Sequence, residues 1–376
     1  MTIYYLTIFL PAGLGYVLTK KNDGSRNTAI CLTLSFLLLV FVSSCRYAIG
    51  FDYFSYRNIY ELANQMSFGE ILRLYAGEPL FFLTCKTIGM SGCPYQGFLL
   101  VINIFLLAVA MHFIYRHSKM PWLSVYLYIT LQFLACNMNL IRQSIATAFF
   151  LLAYPSLRKR KLLPFTMFLL IGGLFHNSLF FLYPLYFLLP KKHSKPFLLF
   201  LISLTTSAYL FFDPLFDILK PFLPAKYAGY QGSFFWHANN VFYVLFPALY
   251  CLLIYLFRNR ITDTLLRAIC VNSAVYQLII SLFITRHFIL ERFAIYPFAF
   301  SLIAIPEIVS SYADEKRHGE KSFLTYRRVL ILFLLFGGAY FTFAAYCGFH
   351  HVYPYTGLWD KSISSPGSYA DQCSGT

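Results

Sequence analysis

The chain has 376 residues, 59% of them hydrophobic and only 12% charged, with a formal net charge of +15. So few charges exclude an ordinary soluble domain, where roughly a quarter of residues are charged. The positive excess does not indicate nucleic acid, because the basic residues are gathered in short loops between apolar runs of roughly bilayer length, as the positive-inside rule requires.

In chain order the apolar runs predict spans at 2–19, 28–45, 96–115, 121–137, 139–157, 162–175, 177–190, 196–212, 241–257, 268–285, 288–309 and 329–347. This describes an all-α, polytopic integral membrane protein of about twelve transmembrane helices, some short or re-entrant, forming one membrane domain over 1–376. The first run lacks a basic leader and a small-residue cleavage site, and reads as a retained helix rather than a signal peptide. Most of the Lys and Arg fall in six loops: Lys20/Lys21/Arg26, Arg116/Lys119, Arg158 to Lys161, Lys191/Lys192/Lys195, Arg258/Arg260/Arg267, and 310–328. These loops occur at every second connection, so an alternating topology puts them inside and both termini outside. Residues 162–190 carry no Lys, Arg, Asp or Glu. As one helix they would extend about 43 Å at 1.5 Å per residue, too long for one crossing. A hairpin turning near Gly172-Gly173 and His176-Asn177 keeps the flanking basic clusters on the same side.

Three segments then fall outside, 46–95, 213–240 and 348–376. The first contains Glu78-Pro79, a helix start with Pro at the first helical position. The apolar piece that follows is too short to span. The second is rich in Pro, Gly and aromatic residues, and the third closes in a Ser/Gly-rich tail expected to be disordered. Of the nine cysteines, most lie inside apolar runs as small core residues. Cys85 and Cys93 can pair only if their segment faces an oxidising compartment. No spacing indicates zinc, haem or another cofactor, and no acidic pair or D-x-D triplet suggests a bound divalent metal.

Four polar constellations interrupt the apolar pattern, and the proposed topology puts all of them on the outer side. Residues 46–60 hold Arg46, Asp52 and Arg57 among Tyr47, Tyr53, Tyr56 and Tyr60. Aromatic residues at a boundary commonly form an interface belt, but an Asp and two Arg in the same stretch go beyond a belt. In residues 137–146, Asn139, Arg142 and Gln143 share one helix face at i, i+3 and i+4. An ionisable group in an apolar span is costly and usually faces a partner or cavity, although Arg142 at a span end can also snorkel to the headgroups. Residues 175–178, F-H-N-S, put His176 at the hairpin tip. Residues 285–296 gather Arg286, His287, Glu291 and Arg292, with Tyr296 four residues after Arg292. Converging guanidinium groups suit phosphate oxygens. Phenols beside them suit carbohydrate, whose C–H faces stack on rings while its hydroxyls need donors and acceptors.

The motifs R-Y-x-x-G-x-D-Y-x-x-Y (46–56), Glu78-Pro79, N-x-x-R-Q-x-x-A (139–146), F-H-N-S (175–178) and Arg292…Tyr296, with P-Y at 354–355, resemble in order the EpsG-like branch of Wzy-type polysaccharide polymerases. The resemblance implies an enzyme of the bacterial inner membrane acting on its outer face, and the lack of an acidic pair or D-x-D triplet predicts that it works without a metal or cofactor. Such polymerases transfer a growing glycan from one undecaprenyl pyrophosphate carrier to the repeat unit on another. Arg142, Arg292 and Arg46 are then expected to bind the pyrophosphate. Asp52 and His176 compete as the base that deprotonates the acceptor hydroxyl, with the histidine better matched in pKa. Tyr53, Tyr56, Glu78, Asn139, Gln143 and Tyr296 are expected to line or shape the sugar site. Implied partners are the lipid-linked glycan, membrane lipid, a flippase and a chain-length regulator, with no nucleic acid. Neighbouring readings are a lipid-linked glycan ligase or a glycosyltransferase using polyprenyl phosphate sugars. A reading of another class is a flippase, which would bind near the midplane between structural repeats; no repeat is visible here.

Overall fold

The computed structural model describes residues 1–21, 25–222, 229, 236–237, 241–317 and 325–360. The fold is all-helical, with no strand among the described residues. A lone antiparallel bridge joins Arg46 to Gly357.

The centre is set by a helix with no polar face. Pro121–Thr130 buries every side chain from Trp122 to Thr130, as expected of a helix that is apolar all round. Two of its hydroxyls are satisfied by carbonyls of neighbouring helices: Ser124 Oγ donates to Leu302 O at 2.7 Å and Tyr126 OH to Leu334 O at 2.6 Å. Leu302, Ile305, Ile308 and Val309 of Ser301–Arg317 are also fully buried. The outer helices turn apolar side chains outward instead. Leu163, Leu199, Ile202 and Leu335 are each more than half exposed, an apolar surface suited to lipid.

Among the described residues, four helices are long and apolar enough to cross a membrane: Ser25–Ser44, Tyr95–His117, Thr264–Ile284 and Tyr326–Tyr346. The count rises to six if Lys195–Leu210 with Phe212–Leu219 (bent 81°) and Phe288–Phe298 with Ser301–Asp314 (bent 43°) are each one span. The expected count of about twelve is not confirmed, because several apolar runs are broken or short. The 121–137 run is split into Pro121–Thr130 and Phe133–Asn139 at Gln132, whose φ is +70°. Leu140 (φ −101°, ψ 58°) breaks the chain again before Ile141–Arg158. The 177–190 run is a 3-10 turn, Asn177–Leu182, followed by Leu185–Leu188.

Residues 162–190 do break at His176, between helix Leu162–Phe175 and that 3-10 turn. Gly172 makes the fold-back possible: a Cβ there would lie 2.7 Å from Phe149 Cβ and 2.5 Å from Leu179 Cδ2. Cys85 and Cys93 are both free thiols, so no disulfide joins them. Most of the expected 213–240 segment beyond Phe222, the 318–324 part of the last basic loop, and the 361–376 tail lie outside the described residues.

The breaks collect at one end of the bundle. Ile141–Arg158 carries Arg142 at its start and Arg158 at its finish, about 24 Å apart at 1.5 Å per residue. Arg158 pairs there with Asp263, next to the basic loop 258–267.

Candidate active site

Glu78 is the junction of the charged cluster. It is the residue before Pro79–Gly89, where Pro at the first helical position stops the preceding backbone from continuing as helix. Its carboxylate is buried and reaches two elements at once. Oε2 accepts from Arg142 Nη1 at 2.8 Å. Oε1 accepts from the Asn177 N–H at 3.1 Å and lies 3.2 Å from His176 Nδ1. The His176 contact is close without completing a hydrogen bond, and His176 Nε2 is buried with no hydrogen-bond partner among the described residues. Arg142 Nε is buried and unpartnered in the same sense. The Arg142 guanidinium carbon lies 5.9 and 5.8 Å from the ring centres of Tyr56 and Phe81, within the range of cation–π attraction.

Asp52 approaches from the turn that follows Ser25–Ser44. Its N–H donates to Asn139 Oδ1 at 3.1 Å, tying the turn to the break before Ile141–Arg158. Gly50 is needed in that turn: its φ is +93°, and a Cβ would lie 3.1 Å from Asn139 Oδ1. Burial holds the Asp52 carboxyl above the ordinary carboxylate range, while the Arg142 and Arg292 guanidinium groups pull it down. Arg292 is placed by its own backbone, whose carbonyl accepts from Gln143 Nε2 at 2.7 Å. Asp52, Tyr56, Glu78, Asn139, Arg142, His176 and Arg292, far apart in sequence, therefore meet in one neighbourhood.

Other residues expected at the site are committed elsewhere. Arg46 has no exposed surface. Its guanidinium donates to the Ser43 carbonyl and is surrounded by the phenols of Tyr4, Tyr53, Tyr95 and Tyr355. An enclosed cation of this kind has no route to a lipid pyrophosphate, and it holds the turn rather than joining the Arg142 cluster. Tyr53 is buried in the same nest, its OH donating to Gln96 Oε1 at 3.3 Å and its carbonyl accepting from Tyr95 OH at 3.1 Å. Tyr296 is fully buried, with its OH 2.7 Å from Ser178 Oγ. Gln143 is buried and used on the Arg292 backbone. The side chains of Tyr53, Gln143 and Tyr296 thus shape the site from behind instead of facing a sugar. Arg286 and His287 form a separate group on Asp213, at 3.1 and 2.7 Å.

His350 is the participant that sequence reading missed. Its Nδ1 lies 3.4 Å from Asn139 Nδ2, and its Nε2 lies 3.4 Å from Cys136 Sγ. The His350-His351 pair just before the P-Y motif was a visible signal, hidden by its place in a polar closing segment. Among the described residues, no three His, Cys, Asp or Glu side chains converge so as to hold a metal ion.

An all-helical apolar bundle with charged groups gathered at its broken helix ends defines an integral membrane protein with a polar centre at one end. The family model of EpsG matches residues 29–356, and the chain belongs to the EpsG family. Membership points to a membrane polysaccharide polymerase of the glycosyltransferase kind. No curated protein and no solved structure matches the chain.

Proposed function

We propose that the protein joins oligosaccharide repeat units carried on undecaprenyl pyrophosphate, at the outer face of the bacterial inner membrane. The observation that carries this reading is the Glu78 carboxylate shared between Arg142 and His176. It couples a phosphate-binding cation to an acid–base group, the two tasks that transfer from a lipid pyrophosphate requires. The acceptor hydroxyl oxygen attacks the anomeric carbon of the donor glycan, and its proton passes to His176 Nε2. The bond from that carbon to the pyrophosphate oxygen breaks, and the electron pair leaves with the lipid pyrophosphate between Arg142 and Arg292. Glu78 faces Nδ1 and stabilises the imidazolium that forms, in the manner of a triad carboxylate. Asp52 orients the acceptor, with Tyr56 and Asn139 completing its surroundings.

The outward orientation is supported by the basic loops, which follow the far ends of the helix that brings Arg142 to the site and of the helix that starts at Tyr95 beside the tyrosine nest. Donor supply by a flippase and control by a chain-length regulator complete the proposal, and the reaction runs without a divalent metal.

The test is Arg142→Ala and His176→Ala in a strain making the cognate polymer. Both variants insert normally and leave surface glycan at a single repeat unit. Long chains from both would overturn the assignment. Reconstitution with defined donors separates the polymerase from its rivals. Elongation from lipid pyrophosphate-linked units, insensitive to chelator, supports the reading; transfer only from polyprenyl phosphate sugars refutes it.

A further inference from the structure

The turn carrying Asp52 is gripped by residues from the other end of the chain. The strap 348–360 meets it through three backbone hydrogen bonds: Gly50 N–H to His351 O at 2.9 Å, Tyr47 N–H to Thr356 O at 3.0 Å and Leu358 N–H to Cys45 O at 2.9 Å, the last two making up the Arg46–Gly357 bridge. Tyr4 OH, Tyr353 OH and Tyr355 OH add bonds to Val352 O, Gln132 Oε1 and Val42 O.

Backbone strain concentrates in the same place. Ala48, Gly50, Gln132, Gly348, His350 and His351 all have positive φ; of the described residues that do, only Gly92 and Arg160 lie elsewhere. A non-glycine residue in the left-handed region costs of order 1–3 kcal/mol and persists only where its surroundings demand it. Two such residues in succession, His350 and His351, turn the two rings to different tasks. His351 lies over Phe51, with ring centres 3.6 Å apart. His350 faces inward to Asn139 and Cys136.

The His350 contact has a direction. Asn139 Nδ2 can only donate, so Nδ1 of a neutral His350 accepts, and the ring proton sits on Nε2 facing Cys136 Sγ. Desolvation keeps the His350 imidazole down at about 4, so it stays neutral at ordinary pH. Holding the Asn139 amide by its nitrogen fixes its oxygen towards the Asp52 N–H at 3.1 Å.

We propose that His350 is a positioning residue for Asp52, acting through the Asn139 carboxamide, so that the strap is part of the catalytic unit. The inference rests on the role given to Asp52 above.

The test uses full-length protein in liposomes, with lipid-linked repeat units extracted from the producing strain as substrate. His350→Ala lowers kcat about 10²-fold, the scale expected when a reacting group is misplaced by about 1 Å. Donor KM, governed by Arg142 and Arg292, stays unchanged. His350→Asn, whose Oδ1 can replace Nδ1 as acceptor, restores most of the rate. Wild-type kcat in His350→Ala, a donor KM that rises in parallel, or His350→Asn no better than His350→Ala would each overturn the inference. Asp52→Asn is run alongside: a wild-type rate there overturns the Asp52 assignment itself, while a large loss there with an active His350→Ala overturns only the positioning role.

Discussion

Glu78 and Arg142, 64 residues apart in sequence, form a 2.8 Å ion pair in which the Glu78 side chain is almost fully buried and the Arg142 side chain is 29% exposed. Arg142 is thus neutralised through Nη1 and keeps part of its side chain accessible, as the proposed anion-binding role requires. The remaining Glu78 oxygen is spent on the 176–177 backbone and imidazole, so one carboxylate sets two groups.

Removing that carboxylate should cost both fold and rate. Glu78→Ala leaves Arg142 without its inner partner, a loss on the order of 3 kcal/mol for a buried pair. Glu78→Gln keeps shape and a hydrogen-bond acceptor but not the charge. Thermal unfolding in detergent should show a large decrease in Tm for the alanine variant and a small one for glutamine. Chain elongation should fall about 10²-fold or more in both.

Acid sensitivity gives a second prediction. In the role proposed for it Asp52 acts as the carboxylate, and burial already raises its pKa while Arg142 and Arg292 lower it. Activity is therefore lost as pH falls through a value above the ordinary carboxylate range. Arg292→Gln removes one of the opposing cations, so Asp52 becomes harder to ionise and the acid limb moves to higher pH. A pH profile of kcat/KM for the variant checks the direction; a limb that moves down contradicts the electrostatic influence of Arg292 on Asp52.

The hairpin at residue 176 depends on a glycine. The His176 N–H donates to Gly172 O at 3.0 Å, so displacement of Gly172 is passed to the imidazole. Gly172→Ala pushes a methyl group into Phe149 and Leu179 and should destabilise by about 1–3 kcal/mol, with a parallel loss of polymer length. Gly69→Ala meets nothing within 4 Å and should be neutral or stabilising by up to about 1 kcal/mol. Thermal unfolding of the two variants side by side distinguishes crowding from a general intolerance of substitution.

The charged part of this site was legible because charge is scarce in so apolar a sequence. Asp52, Glu78, Arg142, His176 and Arg292 stand out against their surroundings, and the ordered motifs gave them a family. Burial was not legible. Arg46 and Tyr53 lie in the same motif as Asp52, yet they face a tyrosine nest one turn away, and Tyr296 spends its hydroxyl on Ser178. The count of about twelve spans goes unconfirmed for a related reason. The break at Gln132 has no Pro or Gly to announce it; it is held by Tyr353, more than two hundred residues later. Hydropathy averages over such a break and reports one continuous run.

The strap also imposes an order of events on biosynthesis. Tyr4 waits for a partner made 348 residues after it, and Asp52 for a turn that emerges nearly as late. A chain still being translated has made Asp52, Glu78, Arg142, His176 and Arg292 before the segment that packs against the Asp52 turn exists. The turn that holds Asp52 therefore gains its three backbone hydrogen bonds to the 348–360 strap only after nearly all of the described chain has been made.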